Sequence, residues 1–156
     1  MILYRISNHA DLTGRGGELA QGRWHTQRVG KRIVYLSDHP ALCLLEMLVH
    51  LEREADLPDT FQLLSVEVPD HLLETLDQNR LPADWQRNPR ITQRIGDEWL
   101  EARRSVAILV PSVLLPNARN CLLNPLMPEV ANFDLRLLGS FPLDQRLRRR
   151  QVQGPR

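Results

Sequence analysis

The stretch "HPALCLLEMLVHLERE", residues 39–54, carries the strongest helix signal of the chain and one unusual carboxylate. Ser37 or Asp38 can cap this helix, and a proline in its first turn is harmless because the missing N–H would have no partner there. The pattern predicts a helix over Pro40–Ala55. Glu46 lies inside the run "ALCLLEMLV", where every other residue is apolar. An unpaired carboxylate in such surroundings is costly, so Glu46 needs water, a partner or a chemical role.

A helical projection with about 3.6 residues per turn places Glu46 on a lateral stripe of this helix. The opposite face is predicted to point to the core, and it carries Leu44, Leu48, Leu51 and Ala55. The stripe itself has polar ends, His39, His50 and Arg53, and apolar shoulders, Leu42, Cys43 and Val49. This pattern alone favours a solvated or ion-paired surface glutamate. The rival interpretation is a carboxylate at the floor of a partly apolar cleft.

The remaining pattern predicts an α+β fold with a mixed sheet in a single domain. Strands are expected at 2–6, 32–36 and 60–68, and helices at 69–76 and 91–104. The run "SVAILVPSVLLP", 105–116, predicts a buried strand pair or a bent strand, and shorter strands follow it. Because strands and helices do not alternate regularly, a doubly wound parallel sheet is not expected. The domain is expected to span 1–146, and the basic residues 147–156 to form a disordered tail.

Composition narrows the class of protein. The net charge of +1 argues against strongly electrostatic binding to nucleic acid or membrane. Cys43 and Cys121 lie far apart among aliphatic residues, which is typical of buried thiols in a reducing compartment. The N-terminus lacks the pattern of a signal peptide, and the longest apolar run is broken by Pro111 and too short for a bilayer. We therefore expect a cytoplasmic protein.

Several common catalytic motifs are absent from the sequence. Gly14, Gly16 and Gly17 do not complete a dinucleotide fingerprint, because Leu19 occupies the position of its last glycine. There is no phosphate-binding P-loop motif and no HExxH, CxxC or GxSxG motif, and the histidines lack the spacing of metal ligands. No metal is expected.

Three residues besides Glu46 are candidates for a site. Arg23 follows a glycine-dense loop and can present its planar guanidinium to a phosphate or carboxylate, or else is an exposed loop residue. Tyr35, just before the helix, can stack on a flat heterocycle or serve in packing. Ser112 is a hydroxyl in an apolar run, where its ordinary role is to bond a nearby backbone group.

Taken in order, "GRW", "LLEMLVHL" and "VPS" resemble the RES domain, which is named after an arginine, a glutamate and a serine. The resemblance extends over most of the chain through "YRI", "LTGRGGELAQGRW", "VYLS", "GDEWL", "LVPSVLLP" and "LLNP". It implies an ADP-ribosyltransferase-like sheet and a bacterial toxin that consumes NAD+ by hydrolysis, phosphorolysis or ADP-ribosyl transfer. It also implies a helix-turn-helix antitoxin that covers the active site, with DNA reached only through that partner. A homodimer within the complex stays open.

Carried over by motif, the resemblance implies five site residues: Arg5, Arg23, Tyr35, Glu46 and Ser112. The two arginines would hold the pyrophosphate of NAD+, Tyr35 would pack on nicotinamide or its ribose, and Ser112 would fix the ligand or orient Glu46. Glu46 would be the catalytic carboxylate. Its cleft wall would then include Leu42 and Val49. Asn124 of "LNP" is expected to serve in a turn.

The sequence departs from the family pattern at His25, where asparagine is frequent, and at Met127, where histidine is frequent. Both are expected outside the core set of site residues, at the rim. Two other functions stay open. The chain could be a non-catalytic binding module in which Glu46 and Arg23 form surface ion pairs, or an RNA-cleaving toxin that uses its basic tail.

Overall fold

One mixed sheet forms the centre of the fold in the computed structural model, which describes residues 1–50 and 60–140. Its strands within these ranges are β1 (Ile2–Ser7), β2 (Val34–Ser37), β3 (Gln62–Glu67), β4 (Leu73–Thr75), β5 (Ala107–Pro111), β6 (Arg119–Leu123) and β7 (Leu135–Ser140). Their order across the sheet is β4-β5-β6-β2-β1-β3-β7. The β4–β5 pair is parallel and the other pairs are antiparallel. The predicted α+β fold with a mixed sheet is confirmed.

Three α-helices accompany these strands in the described part of the chain: α1 (Gly16–Leu19), α2 (Pro40–His50) and α3 (Pro89–Ala102). Short three-ten helices lie at Asp70–Leu72, Gln78–Arg80, Trp85–Arg87 and Pro128–Asn132. Neither 1–50 nor 60–140 contains a helix long and apolar enough to cross a membrane. The predicted end of helix α2 near Ala55 and the predicted basic tail lie outside the described residues.

The sheet carries a hydrophobic cluster on each face. Along β5, Ile108 and Val110 belong to one cluster, and Ala107 and Leu109 belong to the other. This division follows from the alternation of side chains along a strand. Strands buried on both faces read as continuous apolar runs, which explains the sequence "VAILV". The first cluster also contains residues of α3, so this helix covers one face of the sheet.

One prediction of local structure was wrong, and for another segment the structure selects between two predicted alternatives. Residues 69–76 form a three-ten turn and then β4, not a helix, because Leu73 pairs with Ala107 and the backbone joins the parallel ladder with β5. For residues 105–116, where a strand pair or a single bent strand was predicted, the structure has one strand. β5 ends at Pro111, and a turn leads towards β6.

The N-terminus of α2 is capped by neither of the predicted residues. His39 Nδ1 accepts a hydrogen bond from the Ala41 N–H at 3.1 Å. Ser37 belongs to β2, and its hydroxyl bonds to a side chain of β6. Asp38 accepts from the N–H of Arg119 at 3.2 Å and is also engaged.

The rotation of α2 also differs from the prediction. Leu42 and Cys43 are buried, whereas Leu44 and Leu48 are only partly buried. The other two residues of the predicted core face, Leu51 and Ala55, lie outside the described residues. Leu42 is therefore a core residue and not part of a cleft wall. Glu46, four residues after Leu42 and three after Cys43, shares their face and points towards the sheet instead of solvent.

Candidate functional site

A cleft opens where two neighbouring strands separate. β1 and β2 are joined through a single residue pair, Tyr4 with Ser37, although both strands lie wholly within the described ranges. By contrast, β1 pairs with β3 along six residues. Beyond the joining pair, residues 5–6 of β1 and residues 35–36 of β2 line a cavity of about 620 Å³. Cavities that bind small molecules typically measure about 300–1,000 Å³.

Glu46 lines this cavity from α2. The helix is fixed by burial of Leu42 and by Cys43, whose Sγ–H donates to the carbonyl of Tyr4 at 3.0 Å. Oε1 of Glu46 accepts from Asn120 Nδ2 at 2.6 Å and from Ser112 Oγ at 3.2 Å. Both hydrogen bonds reach the same oxygen, and within residues 1–50 and 60–140 no donor binds Oε2. The carboxylate is therefore held at one oxygen and can present the other to a ligand.

Asn120 orients Glu46 and was missed by the sequence reasoning. Its Oδ1 accepts from Ser37 Oγ at 2.8 Å, which fixes the amide so that Nδ2 faces the carboxylate. Ser112 is held in turn, since its Oγ accepts from the N–H of Leu114 at 3.1 Å. The signal in the sequence was a polar residue inside the apolar strand "RNCLL". A buried amide in such a strand requires a partner, but the sequence does not identify that partner.

His25, which is buried, and Tyr35, which is partly buried, form a pair at the cavity wall. Nε2 of His25 faces the carbonyls of Gly17 at 3.2 Å and Ala20 at 3.0 Å, and Nδ1 lies 2.9 Å from Tyr35 Oη. The N–H of Trp24 donates to the same Oη at 3.0 Å. Burial lowers the pKa of His25 from its ordinary value and raises that of Tyr35 far above it. His25 therefore does not lie at the rim, because it contacts a predicted site residue.

The two arginines reach the cavity differently. Arg5 donates from Nη1 to the carbonyl of Asp11 at 2.8 Å, and burial lowers its pKa from the ordinary value. Arg23 donates from Nη2 to the carbonyls of Trp85 at 2.7 Å and Gln86 at 2.5 Å. Its guanidinium carbon lies 5.7 Å from the centre of the Trp85 ring, a cation–π distance. One edge of Arg23 is thus bound to the three-ten helix Trp85–Arg87.

Helix α3 fixes the backbone around Arg23. Thr92 Oγ1 donates to the carbonyl of Arg23 at 2.6 Å, and Gln93 Nε2 donates to the carbonyl of Gly22 at 2.9 Å. One turn later, Gly96 lies against the carbonyl of Trp24 with no space for a side chain. Since residues three and four apart are neighbours on a helix, Gly96 lies beside both Thr92 and Gln93, and together they support the glycine-rich loop.

An ion pair between a buried lysine and a partly buried aspartate anchors the far end of the same loop. Lys31 Nζ lies 2.8 Å from Asp97 Oδ2. Thr26 donates to this carboxylate from both its backbone N–H and its hydroxyl. The hydrogen bonds and the charge of Lys31 outweigh burial and lower the pKa of Asp97 below its usual value. The loop is therefore positioned before any ligand binds.

The cavity collects four of the five predicted site residues on its surface: Arg5, Arg23, Tyr35 and Glu46. The fifth, Ser112, contributes through its hydrogen bond to Glu46. Asn124 lies elsewhere, in a turn in which its Oδ1 accepts from the N–H of Leu126 at 3.1 Å. Two guanidinium groups and one carboxylate around a partly apolar cavity suit a ligand with both anionic and electron-poor parts.

The family profile of the RES domain matches residues 2–144 of this chain. The chain belongs to the RES-domain family. This RES-domain chain is 38% identical over 151 residues to "Toxin Res" of Pseudomonas putida, covering 94% of this chain and 99% of that protein. It is 35% identical over 145 residues to "Prs ADP-ribosylating toxin" of Sphingobium sp., covering 90% and 88%. A "Toxin Res" of Photorhabdus laumondii is 37% identical over 135 residues, covering 83% and 85%.

Proposed function

We propose that this chain is a toxin that cleaves the nicotinamide–ribose bond of NAD+. The observation that carries this proposal is the carboxylate of Glu46, held by Asn120 and Ser112 in a cleft that two arginines also line. The names of the relatives support it, since three are called "Toxin Res" and one an ADP-ribosylating toxin. ADP-ribosylation uses NAD+ as the donor of the ADP-ribosyl group.

The reaction would break the bond between C1′ of the ribose and the ring nitrogen of nicotinamide. The bonding electron pair leaves with the nitrogen, so neutral nicotinamide departs and positive charge develops on the sugar. This transition state is similar to the oxocarbenium-like state of glycoside hydrolysis. Glu46 would stabilise it through the oxygen that Asn120 and Ser112 do not bind, either by its charge or by holding a ribose hydroxyl. Preorganised groups of this kind contribute strongly in a water-poor cleft.

The remaining residues would bind and orient the substrate. Arg5 offers N–H groups beyond the one bonded to Asp11 and would pair with the pyrophosphate. Arg23 would add charge from the wall, since its Nη2 is already engaged. Tyr35 would provide a ring surface for nicotinamide or its ribose.

The acceptor of the ADP-ribosyl group is a separate part of the proposal. Water would yield ADP-ribose, phosphate would yield ADP-ribose 1″-phosphate, and a side chain of a target protein would yield a modified protein. The relative from Sphingobium is named for the last of these outcomes. Product analysis by mass spectrometry, with and without phosphate and cell extract, distinguishes the three acceptors.

We also propose that a helix-turn-helix antitoxin covers the cleft. Apolar side chains line the cavity at exposed positions, with Val49 63% and Val113 37% exposed. Such residues suit burial by a protein partner. Co-expression with the neighbouring reading frame should give a complex in which NAD+ no longer reaches the cleft. Full activity of that complex would refute the covering role.

The direct test is nicotinamide release from NAD+ by the purified chain. Glu46→Gln keeps an oxygen for Asn120 and removes only the charge, so we expect about a 100-fold to 1,000-fold loss of rate. Glu98→Gln, on the exposed face of α3, is the matched control and should leave the rate unchanged. Arg23→Ala is compared with the exposed Arg94→Ala in the same way.

The result also separates the alternatives. No release by the wild type, or release unaffected by Glu46→Gln, would refute the proposed function. Cleavage of RNA by the same preparation, dependent on residues 147–156, would favour the RNA-cleaving alternative. Partner binding without any release would favour the non-catalytic module.

A further inference from the structure

The hydrogen-bond pattern around His25 fixes its tautomer. Carbonyl oxygens only accept, so the Nε2 that faces Gly17 and Ala20 must carry a proton. In the neutral ring Nδ1 is then an acceptor, and the hydroxyl of Tyr35 must donate to it. The same hydroxyl accepts from the N–H of Trp24. The single proton of the Tyr35 hydroxyl is therefore already used inside the protein.

The packing around this pair is tight. His25 is only 2% exposed. A methyl group built on Gly22 would lie 2.5 Å from Tyr35 Oη and 2.8 Å from His25 Nδ1, and one on Gly17 would lie 3.3 Å from His25 Nε2. Two glycines thus make room for the histidine and tyrosine side chains. At positions 17 and 22, therefore, the loop has glycine because a larger side chain would collide with His25 or Tyr35.

We propose that His25 is a positioning residue for the cavity, which connects Tyr35 on β2 to the glycine-rich loop and so fixes both in the cavity wall. The inference rests on the proposed function for the identity of the ligand, NAD+. Tyr35 then acts through its ring and not as a proton donor to substrate. Each side of the imidazole has its own task, since Nδ1 holds Tyr35 and Nε2 holds the loop.

The charged and titratable groups near His25 agree with a neutral ring. Burial disfavours its cation most, while Asp97 on α3 favours it and Lys31 in the loop disfavours it. Tyr35 on β2, whose own pKa is raised by burial and further by Asp97 and Glu46, contacts the ring through its hydroxyl. If Nδ1 were protonated, it could no longer accept from Tyr35. The Tyr35 hydroxyl hydrogen would then turn away from His25, and the hydrogen-bond pattern that positions both side chains would be lost.

Two substitutions of His25 by an amide residue separate its hydrogen bond to Tyr35 from its hydrogen bonds to the loop. Asparagine can place its oxygen where Nδ1 lies and keep the acceptor for Tyr35, but it is too short to reach the loop carbonyls. Glutamine can place its amide where Nε2 lies and keep the donor to the loop. His25→Ala removes both. His9→Asn, at an exposed position, is the matched control.

The experiment measures KM and kcat for nicotinamide release together with the affinity for ADP-ribose by calorimetry. We expect His25→Ala and Tyr35→Phe each to raise KM and the ADP-ribose Kd by about tenfold, with kcat changed less than threefold. The double variant His25→Ala/Tyr35→Phe should be no worse than the worse single variant, because both remove one coupled unit. His25→Asn should retain more affinity than His25→Ala.

Three results would overturn the inference. The first is an unchanged KM and Kd in His25→Ala. The second is additive losses in the double variant. The third is a large loss of kcat with unchanged KM in Tyr35→Phe, which would make the hydroxyl a participant in the reaction.

A readout without turnover separates this inference from the proposed function. Imidazole ¹⁵N shifts of the wild type at neutral pH should show the proton on Nε2, and hydrogen exchange should show Trp24 N–H protected in the wild type but not in Tyr35→Phe. If nicotinamide is never released but these signals appear and ADP-ribose binding responds to His25→Ala, the proposed function fails and the positioning role stands. If release occurs and the proton resides on Nδ1, only the positioning role fails.

Discussion

Gly96→Ala should destabilise this protein, although the same change in most helices is stabilising. An alanine Cβ at this position would lie 1.8 Å from the Trp24 carbonyl oxygen, whereas ordinary contacts begin near 3.4 Å. Helix α3 would have to move from the loop by more than an ångström. That movement strains or breaks the hydrogen bonds from Thr92 and Gln93 to the loop carbonyls.

The magnitude follows from three contributions. Overpacking costs about 1–3 kcal/mol. Two weakened hydrogen bonds cost about 1 kcal/mol each. Removing a helical glycine contributes about 1 kcal/mol in the other direction. The expected net loss is about 3 kcal/mol of unfolding free energy, or roughly 10 °C in melting temperature for a domain of this size.

Urea unfolding and thermal melting measure this loss directly. Gly16→Ala is the matched control for stability, because a Cβ there meets no atom within 4 Å and the residue is helical. It should change the unfolding free energy by less than about 0.5 kcal/mol. A Gly96→Ala protein as stable as the wild type would refute the contact between α3 and the loop, and with it the idea that this helix positions the cleft.

Three further predictions concern titration and charge. Burial lowers the pKa of His25 below 6.5 in the folded state, so as the pH falls the imidazole is protonated in the unfolded chain before it is protonated in the folded one. The unfolding free energy should therefore fall as pH drops below about 6.5. Urea titrations should show a flatter decline in His25→Asn; an equal decline would contradict the assignment. Asn120→Asp places a second carboxylate against Glu46, and the two negative charges repel each other. Nicotinamide release should therefore fall about 100-fold near pH 8 and recover partly near pH 5, where the two carboxylates can share one proton. An equal loss at both pH values would contradict a charge effect. Burial raises the pKa of Cys43 to about 11 and that of Cys121 to about 12. Iodoacetamide should therefore label neither thiol near pH 8 until urea unfolds the chain. Rapid labelling of the native protein would contradict the burial of these thiols.

The sequence predicted the elements whose signal is local. Strands β1 and β3 and helix α3 lie within two residues of their predicted bounds, because alternating or helical apolar patterns and flanking prolines define them. Residues 69–76 were harder to predict. Their leucines suit a short helix, but pairing with β5 decides their conformation, and that partner lies more than thirty residues away.

His25 shows why part of the site could not be read from the sequence. A histidine in a loop is ordinarily exposed, and nothing near residue 25 in the sequence indicates burial. Its partners are Tyr35, which lies on β2, and the carbonyls of Gly17 and Ala20 at α1. Only the folded loop brings these groups together. The glycines were visible as a cluster, but their purpose depends on the side chains that they accommodate.

Glu46 presents the same difficulty on a regular helix. Residues 40–50 are apolar on nearly every side, so periodicity alone could not determine which face is buried. The projection placed Glu46 away from the core because an unpaired carboxylate is costly there. That cost is small when hydrogen-bond donors face the carboxylate. The donors here are Asn120 and Ser112, which lie more than sixty residues further along the chain. A carboxylate supplied with two donors can face the sheet, and the rotation that buries Leu42 and Cys43 then directs Glu46 into the cleft. The placement of the proposed catalytic group is therefore set by β6 and the turn after β5 as much as by its own helix.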